Sequence, residues 1–435
     1  MVKVKADNQL RGELGRPVEY LKAHEAVCFH QGEDMNALTV SFKRTIRVPE
    51  DGKVHALPPN LGFFPLYNVS HYADTLPKGM TSKGGCFMPV HEREALWIRF
   101  ESTRPFGLKV YLGSINAISG EPLKETFAST MRRQQRFSDH INIQDYAVID
   151  PAAQGQLWLD GIANTDGTVM QFVAVSSGTG YSVEAQIAKH EAVCGIQIIV
   201  APIKRGAVAV LKVHRLGQTP LFPSVQLNAT VYELMNMISA TIDVPVEQFY
   251  LLHDNVVLEK NYLLSHYGIT AQNSTLHLVL HLQGGGLVGN PNLPSEGEMG
   301  IAAGGLIRQA ILRDPHASEV WDCKNVTTFF VQLLNANLLE LVTSIAPPPS
   351  PITAELYAAA GLPFFSLPDE PKTGIYGKFS GVKSIGQMDV AKGKKKGLDR
   401  ELKFPVIKLD RSGKHLFRPV GRMEALLKGM GFAGS

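Results

Sequence analysis

Apolar positions between Ala37 and Pro202 recur with a period of two in short runs: ALTVSFKRTIRV (37–48), ALWIRFES (95–102), FGLKVYLGSI (106–115), QFVAVSS (171–177) and IQIIVAP (196–202). Gly, Pro, Asp and Asn punctuate these runs, which predicts antiparallel strands arranged as a sandwich or a partly closed barrel. Farther along the period changes. Val231, Leu234, Ile238 and Ile242 recur at spacings of three and four, predicting one helix with a single apolar stripe that a sheet can cover. Asn228 or Thr230 is placed to cap its start, the proline of VPVEQF (244–249) to stop it, and FYLL (249–252) and HLVLHL (277–282) to supply strands. A second helix is expected at Glu121–Phe137, with Pro122 in its first turn. VTTFFVQLLNANLLELVTSI (326–345) predicts a strand followed by a helix or a second strand, ended by Pro347, Pro348, Pro349 and Pro351. FPVIKLD (404–410) reads as a further strand.

The run from Gly284 to Gly305, GGGLVGNPNLPSEGEMGIAAGG, has no periodic apolar pattern and is expected to be a flexible linker. The predicted organisation is therefore multidomain, α+β and mainly β. It comprises an arm (1–36), a β-sandwich-like domain (37–205), a compact module (209–285), a linker (286–305), a small mixed domain (306–377) and a basic C-terminal region (378–435). A length of 435 residues is more than one ordinary core accommodates, and 40 Gly with 26 Pro fit a β-rich chain with many turns.

Cys28, Cys86, Cys194 and Cys323 are scattered without a CxxC pair, so neither a zinc ribbon nor a disulfide framework is indicated and free thiols fit best. The N-terminus lacks the apolar core of a secretory signal, so a cytoplasmic location is expected. A bilayer span needs about 20 apolar residues. The longest apolar stretch, Ala192–Ile203, has 12 residues including Gly and Pro and reads as a buried strand, so no transmembrane segment is expected. Charge is distributed unevenly. Lys378–Arg422 holds thirteen Lys and Arg against four Asp and Glu, although the whole chain carries only +3. Lys392, Lys394, Lys395 and Lys396 are accordingly candidates for weak contact with an anionic membrane surface or a nucleic acid, against the alternative of a solvated tail.

STLHLVLHLQGGG (274–286) resembles the last strand of ubiquitin with its terminal double glycine, VLKVHRL (210–216) resembles the first strand, and residues 230–269 resemble the helix and later strands. The segment is thus similar to the ubiquitin-like family, over about 77 residues, and the resemblance implies a β-grasp fold. It also implies protein partners that read a shallow apolar patch, whose matching positions are Leu216, Leu252, His277 and Val279. Some of the pattern is missing. At the positions of ubiquitin's linkage lysines stand His214, Thr219, Met235, Met237, Thr241, Val256 and Ala271, so chain building on this module is not expected. The double glycine, Gly284 and Gly285, is a candidate processing site, but His281 and Gln283 replace the two arginines before it and a long segment follows. ISGEP (118–122), IQDY (143–146), LWLDGI (157–162) and GTGYSVEAQI (178–187) are similar to a group of uncharacterised fungal proteins carrying this region, which adds no chemistry.

A catalytic reading has only Cys86 near His91, or Ser119, to work with, and neither sits in a defensible motif. There is no HExxH, and Asp145, Asp160 and Asp166 lack EF-hand spacing, so neither metal nor cofactor is expected. The glycines of GSINAISG (113–120), GTGYS (178–182) and GGLIRQ (304–309), and the DG pairs at 160–161 and 166–167, read as turns. The expected function is non-enzymatic protein binding through the internal module. The alternatives are a modifier precursor cut after Gly285 and an enzyme of unknown class in residues 37–202.

Overall fold

The computed structural model describes residues 11–14, 17–18, 23–31, 34–124, 131, 144–151, 155–163, 168–204, 208–215, 218–221, 223–226, 229–242, 247–253, 256–267, 269, 275–281, 297–316, 320–323, 325–367, 373, 375, 377–379, 381–394 and 402–409. The larger unit, the body, begins with strands β1 (Val27–Gln31), β2 (Asp34–Thr45), β3 (Cys86–Val90), β4 (Ala95–Ser102), β5 (Phe106–Leu112), β6 (Val169–Ser176) and β7 (Ile196–Pro202). A second unit follows: β8 (Lys212–Arg215), β9 (Gln218–Leu221), α1 (Val231–Ile242), β10 (Glu247–His253), β11 (Val256–Leu258) and β12 (Thr275–His281). The body then resumes with β13 (Glu298–Ile307), β14 (Thr327–Asn335), α2 (Ile385–Ala391) and β15 (Val406–Lys408).

The body is built on one 16-stranded sheet whose main path runs β1-β2-β4-β6-β13-β14-β7-β5 between two short flanking strands. In β2 the two-residue period does what it should: Leu38, Val40 and Phe42 are fully buried, while Ser41, Lys43 and Thr45 line the opposite face of the strand. β2 pairs with β4 antiparallel from Leu38–Ser102 to Thr45–Ala95, so the apolar faces of both strands coincide. The sheet closes over its own core. Phe29 of β1 packs edge-to-face on Phe329 of β14, with ring centres 6.2 Å apart, although these strands stand far apart in the sheet order.

Several expectations change here. The stretch 298–305 is strand, not linker: β13 runs buried through the body between β6 and β14. Its small residues reflect close packing. A Cβ on Gly304 would come within 2.6 Å of Val173 Cγ2, and one on Gly305 within 2.5 Å of the Pro49 carbonyl oxygen. The expected mixed domain at 306–377 is likewise not separate, because β14 pairs with β7 and runs parallel to β3 in the same sheet. The arm at 1–36 contributes too, with Arg11–Leu14 paired to β1. Pro122 bridges to Ile115 instead of starting a helix, and most of the proposed helix at 121–137 lies outside the described residues. Asp160–Gly161 is no hairpin turn. Trp158–Leu159 pairs with β4 and Gly161–Ala163 with β6, so the chain changes neighbours at a fully buried aspartate. The second DG, at 166–167, lies outside the described residues.

Two polar braces hold the returning chain. Lys83 Nζ donates to Glu298 Oε1 at 2.6 Å with both side chains 2% exposed, tying the short helix Lys78–Lys83 to the first residue of β13. Between β13 and β14, Asp314 accepts from Tyr146 Oη at 2.5 Å and from Trp321 Nε1 at 2.7 Å, and His316 Nε2 pairs with Asp150 at 2.9 Å.

The second unit is a five-stranded sheet in the order β9-β8-β12-β10-β11, with β8 and β12 parallel at its centre. The stripe Val231, Leu234 and Ile238 of α1 is buried with Leu251, Leu258 and Leu276 of the sheet. Thr230 starts the helix as expected: its Oγ1 accepts from Glu233 N at 3.1 Å, and Glu233 Oε2 accepts from Thr230 N at 2.9 Å. This unit interrupts the body, since β7 before it and β13 after it both belong to the body sheet. β7 pairs with β14 at Thr327 and β13 pairs with β14 at Leu334, so the chain leaves and returns at opposite ends of β14. At about 3.3 Å per residue the two ends stand roughly 23 Å apart.

Candidate functional site

In β10 the alternation is clean. Leu251 is fully buried against α1, and its neighbours Tyr250 and Leu252 belong to the other face of the sheet, with Tyr250 46% exposed and Leu252 half-buried. The register then gathers residues around Leu252: Val257 of β11, 51% exposed, is its partner on one side, and His277 of β12 is its partner on the other. Val279 lies two positions along β12, and Leu216 falls outside the described residues. The face away from α1 thus carries Tyr250, Leu252 and Val257 as an apolar surface in water, the kind of patch that marks an interaction site. Tyr250 and Val257 were not picked out by sequence reasoning. The i and i+2 spacing of Tyr250 and Leu252 was a readable signal, but Val257 required the register across the β10–β11 hairpin.

The contact with the body lies elsewhere on the module. Arg104 Nη1, in the turn between β4 and β5, pairs with Glu233 Oε1 at 2.6 Å in the first turn of α1, where an acidic group complements the helix dipole. Among the described residues this ion pair ties the helix side of the module to the body.

Residues 211–283 match the family model described as the ubiquitin family. They are a ubiquitin-like domain. Among solved structures, this chain is similar to Caldiarchaeum subterraneum ubiquitin at 22% identity, covering 18% of this chain and 94% of that one with a TM-score of 0.16. It is also similar to the ubiquitin-like domain of Plasmodium falciparum Dsk2 at 24% identity, covering 17% and 96% with a TM-score of 0.16. A designed protein based on ubiquitin matches at 28% identity over 16% of this chain and 85% of its own, again with a TM-score of 0.16. A search of curated proteins found no match.

The remaining candidates fare differently. Gly284 and Gly285 lie outside the described residues, as do Lys395 and Lys396. Lys392 and Lys394 turn back onto the body: Lys392 Nζ donates to Thr179 O at 2.6 Å and stands 4.0 Å from the Tyr181 ring centre, and Lys394 Nζ is 3.6 Å from Asp389. Asp389 also takes a two-pronged hydrogen bond from Arg93, at 2.6 and 2.8 Å, which holds its carboxyl well below the usual carboxylate range. These two lysines are thus engaged within the protein.

Cys86 and His91 do not form a dyad. The thiol is fully buried and desolvation pushes it up, while His91 Nε2 donates to the Pro348 carbonyl at 2.8 Å. Ser119 Oγ accepts from Glu121 N inside a buried turn. Asp145 pairs with Lys109 at 2.7 Å, Asp160 accepts from Gln309, and Asp166 lies outside the described residues. Among the described residues no cluster of three His, Cys, Asp or Glu side chains could hold a metal, and no helix is long and apolar enough to cross a membrane.

A cleft of about 1150 Å³ lies between the body sheet and the segments at 351–355 and 379–390. Several charges on its walls are paired: Arg47 with Glu50, Glu50 with the Gly386 N–H at 2.6 Å, and Arg93 with Asp389. These contacts fasten α2 to the body.

Proposed function

We propose that this chain is a non-enzymatic, cytoplasmic interaction protein whose ubiquitin-like domain binds protein partners through the outer face of its sheet. The observation that carries the reading is the apolar set Tyr250, Leu252 and Val257, left on the face opposite α1 while the tie to the body is made on the helix side. The precursor alternative is weaker on connectivity. A cut after Gly285 leaves the module joined to the body through β7. The fragment beyond the cut keeps β13 and β14 inside the body sheet, so no free modifier results from that cut alone.

The test uses the full chain and, as probe, a three-helix domain that binds ubiquitin's apolar patch. The expected outcome is measurable binding that falls at least tenfold for Leu252→Asp, measured at a temperature where the melting curve shows the variant folded. Equal binding by wild type and variant, or no binding by the wild type, overturns the proposal.

A further inference from the structure

The segment Ala346–Thr353 belongs to no helix or strand, yet its conformation is strongly determined. Each proline fixes its own φ, and each residue before a proline is pushed to extended ψ. In APPPSP (346–351) that second rule acts on Ala346, Pro347, Pro348 and Ser350. Both rules favour polyproline II over this strap, and its exposure follows the three-residue repeat of that helix. Ile345, Pro348 and Pro351 are half-buried on the body, whereas Ala346, Pro347, Pro349 and Ser350 are exposed.

The body also anchors the strap by its backbone. His91 Nε2 donates to the Pro348 carbonyl at 2.8 Å, and Arg44 Nη2 donates to the Pro349 carbonyl at 2.7 Å. Both residues are held in turn by one buried carboxylate: Glu94 accepts from Arg44 Nε at 2.5 Å and from the His91 backbone N–H at 2.9 Å. One ridge of the strap is therefore docked and two face solvent, leaving Pro347 and Pro349 open. Exposed leucines flank it, Leu341 at 77% on the N-terminal side and Leu356 at 46% on the C-terminal side.

We propose that residues 346–351 are a docking element for a partner domain with an aromatic-lined groove that takes the exposed pyrrolidine faces of Pro347 and Pro349 in the polyproline II conformation. Such grooves accept flat pyrrolidine faces from a helix already ordered, so little conformational entropy remains to be lost on binding. The surroundings select the kind of groove. Residues 342–353 contain no Lys or Arg, and the nearby Arg44 is committed to Glu94, so the strap supplies no cation for an acidic specificity pocket. A groove of the WW type, which reads prolines without a basic flank, is the fitting partner, whereas an SH3 domain that requires one is not. This site is separate from the sheet face of the ubiquitin-like domain and does not depend on it.

The experiment titrates the full chain with two probes, a WW domain that binds uninterrupted proline runs and an SH3 domain that requires a basic flank. A synthetic peptide spanning 343–354 is measured alongside. The WW domain is expected to bind the full chain at least threefold more tightly than the peptide, and the SH3 domain at least tenfold more weakly than the WW domain. The double variant Pro347→Ala/Pro349→Ala should weaken WW binding at least tenfold with an unchanged melting temperature, since both rings are exposed. The proposal is overturned if the WW domain fails to bind the full chain at concentrations that saturate its control peptide. It is also overturned if the double variant binds as well as wild type, if the peptide binds as tightly as the full chain, or if the SH3 domain binds more tightly than the WW domain.

Discussion

The body and the ubiquitin-like domain solve the same problem, covering a sheet, with opposite economies of chain. In the domain one helix of 12 residues covers a sheet assembled from the residues immediately around it. In the body the sheet covers itself, and its central strands β6 and β13 meet only after the intervening domain has been traversed. The difference teaches which unit governs the other. The domain's core is local, whereas the body cannot complete its sheet until β13 and β14 have been added, so the body carries the long-range closure cost.

The largest effect that would sharpen this contrast is at Lys83. Replacing it with Met removes the buried cation that faces the Glu298 carboxylate at the start of β13, at a cost of about 3–5 kcal/mol. Body unfolding should shift to lower denaturant, while hydrogen exchange protection within the domain persists. Loss of protection in both units together would show that they fold as one.

Next comes the converse change, Leu276→Ala in the domain core, which should cost about 2–4 kcal/mol. Calorimetry is expected to show an earlier transition for the domain and an unmoved one for the body. A single shifted transition would break the comparison.

Glu233→Gln is a gentler probe of the tie between the units. Glutamine can keep the reciprocal cap with Thr230, so the helix should lose only a few tenths of a kcal/mol. The charge facing Arg104 is lost, and small-angle scattering should report a wider spread of domain orientations. An unchanged profile would mean that the ion pair does not orient the domain.

The smallest effect is a pH dependence within the body. Donation of a hydrogen bond to the Asp150 carboxylate raises His316 above its ordinary value of 6.5, so the pair's contribution is fully present below that value and is lost as pH rises through the folded-state pKa. The melting temperature of His316→Gln should lie below wild type at pH 6, and the gap should narrow by pH 9. A gap that widens with pH would reverse the assignment. Because His316 is partly exposed, the difference should be under about 1 kcal/mol.

The domain was legible because its signals are local. The stripe from Val231 to Ile238, the cap at Thr230 and the strands around Leu251 and Leu276 lie close enough along the chain for periodicity to find them. Of the surface residues, Leu252 pairs with His277 in the strand register while Leu216 falls outside the described residues, and Val257 joins Leu252 only through hairpin pairing. The body's strands were mostly found and its boundaries were not. Glycines that carry no apolar period, such as Gly304 and Gly305, look like a linker until the neighbours that forbid a Cβ are in place.

By itself the sequence determined the alternation of the strands and the amphipathic helix of the domain with its cap, both of which follow from dihedral preferences and from periodicities within a few residues. Only the tertiary structure decided that β13 returns to the body and that the strap hides one ridge while showing two. It also decided that Lys392 and Lys394, though exposed, lie over the Tyr181 ring and that Lys394 stands beside Asp389. Those outcomes depend on which distant groups come within packing or hydrogen-bonding distance, and pairing between residues far apart in the chain leaves no local pattern to read.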